Sequence, residues 1–485
     1  MKIPTAFFLF FCLSLISLAQ APLSDRQQFI RVEGPAIALA HLRVIDGTGA
    51  APMEDQTILI VDGRIARILP SKDFISKEVI TTLDLKGYTV LPGLVGMHDH
   101  MFFPMGGSPP MYSDMGFSFP RLYLALGVTT IRTTGSVQPY LDLEIKKLID
   151  SGRMIGPKMH VTAPYFEGVG SFTPVMHTLT GPDDARKMVN YWADQGATSF
   201  KAYMNITRDE LRAAAEEAHK RGLKITGHLC SIGFREAAEI GIDDLEHGLF
   251  VDSEFVPDKK PDQCPAGSAV SASLRQLDLN GEAAKETIRT LVAKNVAITS
   301  TLPVFEAGAP LGSSQSGPTA IGAASAVLNP RVLSVMNTDA RVRYLTARSR
   351  IPADSPTPVL IRKSMDFERA FVAAGGLLIA GLDPTGNGGV VAGFGDLREV
   401  ELLVEAGFSP LEAIKIASFN GAKFLGEDSS IGSIAAGKQA DLMVVKGNPA
   451  AKITDIENVE IVFKDGVGYD SEKLIQSVQG LVGIR

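Results

Sequence analysis

Short apolar runs alternate with stretches of helical periodicity over most of the chain, from about residue 90 to about residue 425. Such alternation is typical of a parallel β-sheet whose strands are connected by helices. The predicted strands lie at 90–98, 127–133, 157–163, 197–203, 224–229, 243–248, 296–301 and 377–382. Eight such units favour a (β/α)8 barrel, the TIM barrel, over an open doubly wound sheet. No Gly-x-Gly-x-x-Gly segment opens the first unit, which weakens a dinucleotide-binding alternative.

The two ends of the chain have a different pattern. Residues 57–68 hold two β-rich runs separated by an Asp-Gly pair, which is a hairpin signal. Residues 440–445 and 459–466 have the same β-rich pattern near the other end. We therefore predict an α/β protein in which the (β/α)8 TIM barrel, residues 90–425, is inserted in a small β-sandwich domain formed by residues 22–89 and 426–485.

Two predicted helices carry clear start signals. Thr207 and Glu210 have the spacing of a capping box, in which each side chain bonds the backbone N–H of the other residue. Ser409 and Glu412 repeat that spacing, and the second helix is predicted to run to about Lys423. These signals predict one helix of the barrel's outer layer and one that closes it.

Two predicted connections are unusually long, residues 249–280 and residues 302–361, and the second holds a predicted helix near 330–349. Long loops inside a compact domain usually cover or line a binding site. Both follow barrel strands, so they should lie on the C-terminal face, where TIM-barrel active sites lie. The alternative is disorder or a contact with another copy of the chain.

The first residues have the pattern of a secretory signal peptide. Lys2 is followed by an almost wholly apolar stretch, residues 6–18, and small side chains follow at Ser17, Ala19 and Ala21. This stretch is short for a membrane span. We expect residues 1–21 to be the signal peptide, with cleavage after Ala19 or Ala21, and the mature protein to be periplasmic or secreted; the alternative is an uncleaved anchor helix.

Composition narrows the classes of partner. The chain has 485 residues, a net charge of −7 and 45% hydrophobic residues, which is typical of a globular protein with a large core. Because the chain has no block of five or more like charges, we expect no nucleic-acid partner. Because no other stretch is long and apolar enough to span a bilayer, we expect no membrane contact after signal cleavage. The expected partner is a small-molecule substrate, and a homo-oligomer is compatible with the sequence.

Signal cleavage would leave Cys230 and Cys264 as the cysteines of the mature protein. An oxidising compartment allows them to form a disulfide. The sequence leaves two alternatives open here, a disulfide or two separate thiols.

Candidate chemistry begins at the end of the first predicted barrel strand, in Met97-His98-Asp99-His100. Side chains alternate faces along a strand, so His98 and His100 point the same way and Asp99 points the other way. Two converging imidazoles make half of a divalent-metal site. A lone His-x-His is often incidental, so the prediction depends on further ligands at other strand ends.

Four later predicted strands supply such groups. Lys201 lies in strand 4, His228 and His247 end strands 5 and 6, and Asp383 ends strand 8. In a parallel barrel the C-terminal strand ends meet on one face. Each residue alone has a structural explanation, such as an ion pair for Lys201 or a turn cap for Asp383. Their joint occurrence at strand ends indicates a metal site.

This ordered set resembles the amidohydrolase superfamily in its binuclear form with a carboxylated lysine, including prolidase-like and imidazolonepropionase-related members. The resemblance implies that His98, His100 and Asp383 hold one metal ion and that the two later histidines hold another. It further implies two divalent ions, zinc by ligand type, bridged by a CO2-derived carbamate on Lys201. Lys201 and Asp383 would be the catalytic residues.

The resemblance implies a metal-dependent hydrolase in which a metal-bridging hydroxide attacks a carbon–nitrogen bond. The expected substrate is an amide or peptide, such as a dipeptide or an N-acyl amino acid, and Asp383 would accept and then return a proton. Residues 202–205 depart from the dipeptidase branch, which puts a dipeptide substrate in doubt. Two alternatives remain: an esterase, lactonase or phosphotriesterase with the same centre, and a non-catalytic scaffold, which would be expected to lose ligands.

Other polar side chains near strand ends are candidates for substrate contacts. Tyr165 and Tyr203 lie at or near the ends of strands 3 and 4, and His177 lies in the loop after strand 3. His160 is a weaker candidate, and core or rim packing is the alternative for all four. Arg132, in strand 2, is predicted to form an interior ion pair rather than to clamp a carboxylate.

Overall fold

The computed structural model describes residues 26–75, 80–106, 110–310 and 329–483. The predicted signal peptide, residues 1–21, lies outside the described residues. Within these ranges, no helix is long and apolar enough to cross a membrane.

Strands come first from the small domain, then from the barrel, and again from the small domain. The first group is β1 (Ile30–Val32), β2 (Ala36–Val44), β3 (Met53–Val61), β4 (Arg64–Pro70), β5 (Thr81–Asp84) and β6 (Tyr88–Pro92). The second group is β7 (Leu94–Gly96), β8 (Phe102–Gly106), β9 (Met111–Asp114), β10 (Val128–Arg132), β11 (Lys158–His160), β12 (Thr162–Glu167), β13 (His177–Thr178), β14 (Ser199–Ala202), β15 (Lys224–Gly227), β16 (Asp244–Glu246), β17 (Ala297–Ser300) and β18 (Leu378–Ala380). The last group is β19 (Leu442–Lys446), β20 (Val459–Lys464) and β21 (Val467–Asp470).

Helices fall mostly between the barrel strands. They are α1 (Ser118–Ala125), α2 (Pro139–Asp150), α3 (Pro182–Gln195), α4 (Arg208–Lys220), α5 (Phe234–Ile240), α6 (Gly267–Gln276), α7 (Glu282–Ala293), α8 (Leu302–Ala307), α9 (Pro330–Val335), α10 (Thr338–Ser349), α11 (Thr357–Ala373), α12 (Phe394–Ala406), α13 (Pro410–Lys415), α14 (Gly421–Leu425) and α15 (Ser471–Gln476).

Parallel strands build the barrel in the predicted order. Pairing runs β7–β10–β11 and then β12–β14–β15–β16–β17–β18, with β11 and β12 as two halves of one strand interrupted at Val161. The backbone N–H of Met97 donates to the carbonyl of Ala380 at 2.8 Å, so the last strand meets the first. The prediction of eight strands in a TIM barrel is confirmed.

Closure depends on a close backbone approach between the last strand and the first. A Cβ atom on Gly381 would lie 2.3 Å from the backbone nitrogen of His98, nearer than real Cβ contacts allow. Glycine lets the two backbones meet here. The backbone N–H of Asp383 then donates to the carbonyl of His98 at 2.9 Å, which fixes the two strand ends side by side.

The small domain is one nine-stranded sheet with strands from both chain ends. Its order is β1–β21–β20–β19–β6–β2–β3–β4, and β5 also pairs with β2. The junction between the two ends is the antiparallel pair β19–β6, where Leu442 lies opposite Pro92. Fully buried side chains such as Leu42, Val90 and Phe463 form a core separate from that of the barrel. The prediction that the two ends join in one β-rich domain is confirmed.

Both predicted capping boxes are present, at Thr207 with Glu210 and at Ser409 with Glu412. The second helix runs as predicted but is divided into α13 and α14 by a π-helical turn at Ile416–Asn420. The loop prediction for residues 249–280 is partly wrong, because α6 lies within it. Its segment is rich in Gly, Ser and Ala, and only Val270 and Leu274 are buried, so its apolar face is narrow.

Cys230 and Cys264 form a disulfide, with Cα atoms 4.8 Å apart, which resolves the alternative left by the sequence. The bond ties the segment after β16 to the segment after β15. Ser253 strengthens this link, since its hydroxyl donates to the carbonyl of Cys230. Cys230 lies two residues after His228, so the disulfide restrains the backbone next to that histidine.

Candidate metal centre

All six predicted metal-ligating residues line one cavity of about 420 Å³ at the C-terminal ends of the barrel strands. The residues that the structure brings together there are His98, His100, Lys201, His228, His247 and Asp383. They come from five different barrel strands, and their meeting point is set by the closure of the barrel.

His98, His100 and Asp383 form one compact group. Nε2 of His100 lies 3.5 Å and Nε2 of His98 lies 3.9 Å from Oδ1 of Asp383. One ligand atom from each of the three residues lies within 4.8 Å of the others, and all three are buried. Asp99 is buried as well, and burial together with the charge of Asp396 raises its pKa.

His228 and His247 form a second group beside the first. Their ring centroids are 4.5 Å apart, and the ring of His247 is also 4.5 Å from that of His98. The amine of Lys201 is buried on the same face. The two groups therefore adjoin, with Lys201 in the same cavity.

Hydrogen bonds at Nδ1 orient three of the imidazoles. Nδ1 of His98 donates to Glu246 at 2.7 Å, and Nδ1 of His100 donates to the carbonyl of Gly135 at 3.2 Å. A carboxylate and a carbonyl only accept, so these nitrogens carry the protons. Nδ1 of His247 lies 2.7 Å from the hydroxyl of Thr301. Nε2 of His98 and of His100 therefore carries no proton and can bind a metal ion.

The backbone at two ligands is strained. His247 and Asp383 adopt left-handed conformations with φ of 70° and 50°, which are uncommon for residues other than glycine. Each follows the end of a strand, β16 or β18, and the turn brings its side chain into the cavity. Such strain at a site is maintained by the packing around it.

The electrostatics of the group suit metal binding. Burial, and then the charge of Lys201, lower the pKa of His98 to about 4 and that of His228 to about 3. Burial and the neighbouring His228 lower the pKa of His247 well below its usual value. Burial raises the pKa of Asp383, but the neighbouring histidines reverse this and lower it overall. Neutral imidazoles and an ionised carboxylate are the ligand forms that divalent metals need.

The surroundings of Lys201 shift its amine towards the neutral form. Burial lowers its pKa to about 8, against the opposing charges of Glu246 and Asp383. With a pKa near 8, about a tenth of the amine is neutral at pH 7, and the neutral amine is the form that reacts with CO2. The six side chains therefore fit the binuclear metal group with a carboxylated lysine.

Glu246 is a site residue that the sequence reasoning missed. It is fully buried, accepts from His98, and lies 3.7 Å from Nζ of Lys201. Arg132 donates to Glu246 and to Asp244 at 3.0 Å each, so the predicted interior ion pair is confirmed. The available signal was the alternation in β16, which puts two acidic side chains on one face of a buried strand.

The predicted substrate contacts divide into two groups. Tyr165 and Tyr203 line the cavity: the hydroxyl of Tyr165 is 3.5 Å from Nε2 of His100, and the ring of Tyr203 is 4.8 Å from that of His228. His177 is not among the described residues that line it; its ring pairs with Asp184 at 3.1 Å. It lies in β13, which pairs with β12, and its ring faces the start of α3.

His160 also lies away from the ligands. Its ring is 3.5 Å from a carboxylate oxygen of Glu427, and Lys158 pairs with the same carboxylate at 2.7 Å. The structure therefore gives His160 an ion-pairing partner outside the cavity.

A family model described as the amidohydrolase family matches residues 89–467. No curated protein is matched by the sequence.

Solved structures share the fold over nearly the whole chain. A putative prolidase from Bifidobacterium longum is 24% identical, with 91% of this chain and 98% of that one covered and a TM-score of 0.63. A Xaa-Pro dipeptidase with bound methionine in the active site is 20% identical, with 90% and 100% covered and a TM-score of 0.64. A molinate hydrolase is 18% identical, with 94% and 98% covered and a TM-score of 0.65.

Proposed function

The chain belongs to the amidohydrolase family, and we propose that it hydrolyses an amide or peptide bond of a small molecule with two divalent metal ions. The proposed substrate class is dipeptides and N-acyl amino acids. One observation carries the proposal: the six side chains predicted to hold the metal ions converge in one cavity, and Nδ1 of three of the histidines has a hydrogen-bond partner.

The proposed ions are zinc, since imidazole and carboxylate ligands suit that metal. His98, His100 and Asp383 would hold one ion, and His228 and His247 would hold the other. A carbamate formed from Lys201 and CO2 would provide an oxygen ligand to both. When bound, two such ions polarise the carbonyl of the substrate and lower the pKa of a shared water towards about 7.

Three side chains of the protein have distinct roles in the proposed mechanism. Glu246 holds the ring of His98 through Nδ1 and balances the charge of Arg132. Thr385 donates its hydroxyl to Oδ1 of Asp383 at 2.7 Å, which positions that carboxylate. Asp383 would accept a proton from the attacking water and pass it to the leaving nitrogen, as general base and then general acid.

We also propose that the mature protein is periplasmic or secreted. The signal-peptide pattern of residues 1–21 supports this, and so does the disulfide between Cys230 and Cys264, since disulfides persist in oxidising compartments.

The proposal is tested by reconstituting the protein with zinc and assaying dipeptides, N-acyl amino acids, lactones and phosphotriesters. We expect amide hydrolysis by the wild type and nearly none by His228→Ala or Asp383→Asn. His219→Ala, which removes a half-exposed histidine on α4, is the control and should keep full activity.

Three results would contradict parts of the proposal. Hydrolysis of lactones or phosphotriesters without any amide hydrolysis would favour the alternative bond class. Substantial residual activity in Asp383→Asn would remove its proton-transfer role. A non-catalytic scaffold would be favoured if the protein contains no stoichiometric metal and Lys201→Ala behaves like the wild type.

A further inference from the structure

The cavity has two chemically different halves. The metal-binding residues form one half. The other half includes Phe172, Thr385, two prolines, two glycines and six apolar or aromatic side chains. We call these six side chains the aromatic wall; it consists of Phe102, Tyr112, Val137, Tyr165, Met176 and Tyr203. These six residues pack as a hydrophobic cluster separate from the main core of the barrel. The wall is therefore a feature of the cavity, and the barrel core does not extend into it.

The aromatic wall directly adjoins the metal ligands. The ring of Phe102 stacks on His100 with centroids 4.4 Å apart, and the ring of Tyr203 is 4.8 Å from His228. The rings of Tyr165 and Tyr203 meet edge to face at 5.2 Å. A substituent joined to a carbonyl at the metal centre would therefore lie on these rings.

The wall carries no formal charge. Among the described lining residues, Lys201 and Asp383 are the only members of the Lys, Arg, Asp and Glu types, and both belong to the metal-binding half. Burial raises the pKa of Tyr112 to about 12, so that phenol stays neutral. Such a surface favours an apolar or aromatic group, and a charged group would lose its hydration against it.

The order of the barrel strands indicates how the substrate is oriented in the cavity. β14 and β18 are four strands apart in a barrel of eight, so they lie on opposite sides. Tyr203 follows β14 and Asp383 follows β18. If Asp383 returns a proton to the leaving nitrogen, the amine part lies towards β18. The acyl part then lies towards Tyr203, the member of the aromatic wall that is farthest from β18 in the strand order.

One apolar side chain at the cavity mouth extends the wall. Phe172 is 44% exposed, lines the cavity, and has its ring 6.1 Å from that of Tyr203. Phe172 therefore adds an apolar surface next to the ring of Tyr203.

We propose that the acyl group of the substrate is bulky, apolar and uncharged, either aromatic or branched aliphatic, and that it binds against the aromatic wall. This inference rests on the proposed amide hydrolysis and names the acyl part of that substrate. It selects N-acyl compounds with a large apolar acyl group over those with a small or an anionic one.

The test compares three amides with a common leaving group: the acetyl, succinyl and phenylacetyl 4-nitroanilides. All release 4-nitroaniline, so differences in rate report on the acyl group. For the zinc-loaded wild type we expect kcat/KM for the phenylacetyl compound to exceed each of the others at least tenfold. Equal or faster hydrolysis of the acetyl or succinyl compound would overturn the inference.

Two variants locate the effect. Phe172→Ala should reduce the ratio of phenylacetyl to acetyl kcat/KM at least threefold. Phe117→Ala removes a similarly exposed phenylalanine that does not line the cavity, and should preserve the ratio. An unchanged ratio in Phe172→Ala would remove that residue from the acyl site.

A binding measurement separates this inference from the proposed function. Calorimetric titration of zinc-loaded protein with phenylacetate, acetate and succinate measures acyl selectivity without turnover. We expect phenylacetate to bind at least tenfold more tightly than acetate. If it does while no amide in the panel is hydrolysed, the proposed function fails and the acyl site stands; if it binds no more tightly than acetate, the acyl site fails whatever the protein hydrolyses.

Discussion

The carboxylate of Glu246 accepts a hydrogen bond of 2.7 Å from Nδ1 of His98, and both side chains are almost completely buried. Burial raises the pKa of Glu246, but the charges of Lys201 and Arg132 reverse this and lower it overall, so Glu246 stays ionised. A buried carboxylate behind a ligating imidazole fixes its orientation and increases its basicity.

We expect Glu246→Gln to weaken metal binding about 10- to 100-fold, because the orienting charge behind His98 is lost. Competition with a chromogenic chelator measures the dissociation constant directly. Glu239→Gln is the matched control, since Glu239 is exposed and pairs only with the surface residue Lys294 in the described structure. Equal metal affinity of the two variants would show that Glu246 is not needed to orient the ligand.

Lys201→Ala should lose most of its bound metal and its activity, because the oxygen ligands of the proposed carbamate disappear. A short carboxylate such as formate or propionate is expected to restore part of both, since it offers the same two oxygens in the space left by the side chain. Metal content by atomic absorption, with and without carboxylate, is the measurement. Full metal occupancy in Lys201→Ala without any carboxylate would contradict the bridging role.

The disulfide should contribute measurably to stability. Cys230 and Cys264 are 34 residues apart, and closing a loop of that size stabilises a protein by roughly 3–4 kcal/mol in the chain-entropy account. We expect the double variant Cys230→Ser with Cys264→Ser to unfold at lower denaturant concentration, and reduction of the wild type to shift its midpoint equally. Two reactive thiols in unreduced, denatured wild type would show that the bond does not form.

Glu368 should make stability decrease with rising pH. It is buried in α11, where it accepts a hydrogen bond from Ser300, and burial raises its pKa from 4.5 to about 8. Between these values the folded state holds a proton that the unfolded state has lost. Its contribution is therefore fully present below pH 4.5 and is lost as pH rises towards 8, at up to about 1.4 kcal/mol per pH unit.

Glu368→Gln should remove this slope. Glu399 on α12 is the nearby buried carboxyl, and its pKa is raised by burial and then by the charge of Glu368. Because other buried carboxyls add slopes of their own, the quantity to measure is the difference between wild type and Glu368→Gln in urea unfolding from pH 5 to pH 8. The exposed Asp366 of the same helix provides the control variant Asp366→Asn, and an equal effect of both substitutions would reject the assignment.

The ligands could be placed from the sequence because two simple regularities apply to them. Alternation along a strand puts His98 and His100 on one face, and a parallel barrel gathers its C-terminal strand ends. The positions of Lys201 and Asp383 follow from the same rules once the strands are counted, whereas their roles were implied by the family resemblance. Each predicted strand overlaps an observed one, so these positions needed no knowledge of loop structure.

Contacts between residues from different barrel strands could not be predicted from the sequence in the same way. Glu246 becomes a partner of His98 only when β7 and β16 direct these side chains into the same barrel interior. The sequence around Glu246 by itself shows only a pair of acidic residues. The aromatic wall combines Tyr203, which follows β14, with Phe102 and Tyr112. The last two lie in the hairpin β8–β9, which the sequence did not predict. His177 shows the reverse case, since a position after a strand end did not bring it into the cavity.

The left-handed backbone at His247 and Asp383 implies a conflict between folding and catalysis at these two positions. Left-handed geometry costs a non-glycine residue about 1 kcal/mol or more, and Gly or Asn would adopt it at lower cost. Selection for heat resistance alone should therefore enrich Gly or Asn at both positions while discarding the ligands. Deep sequencing of a library randomised at the two sites, sorted for thermal stability without any requirement for activity, would show this enrichment. An engineered, more robust version of this protein must gain its stability elsewhere.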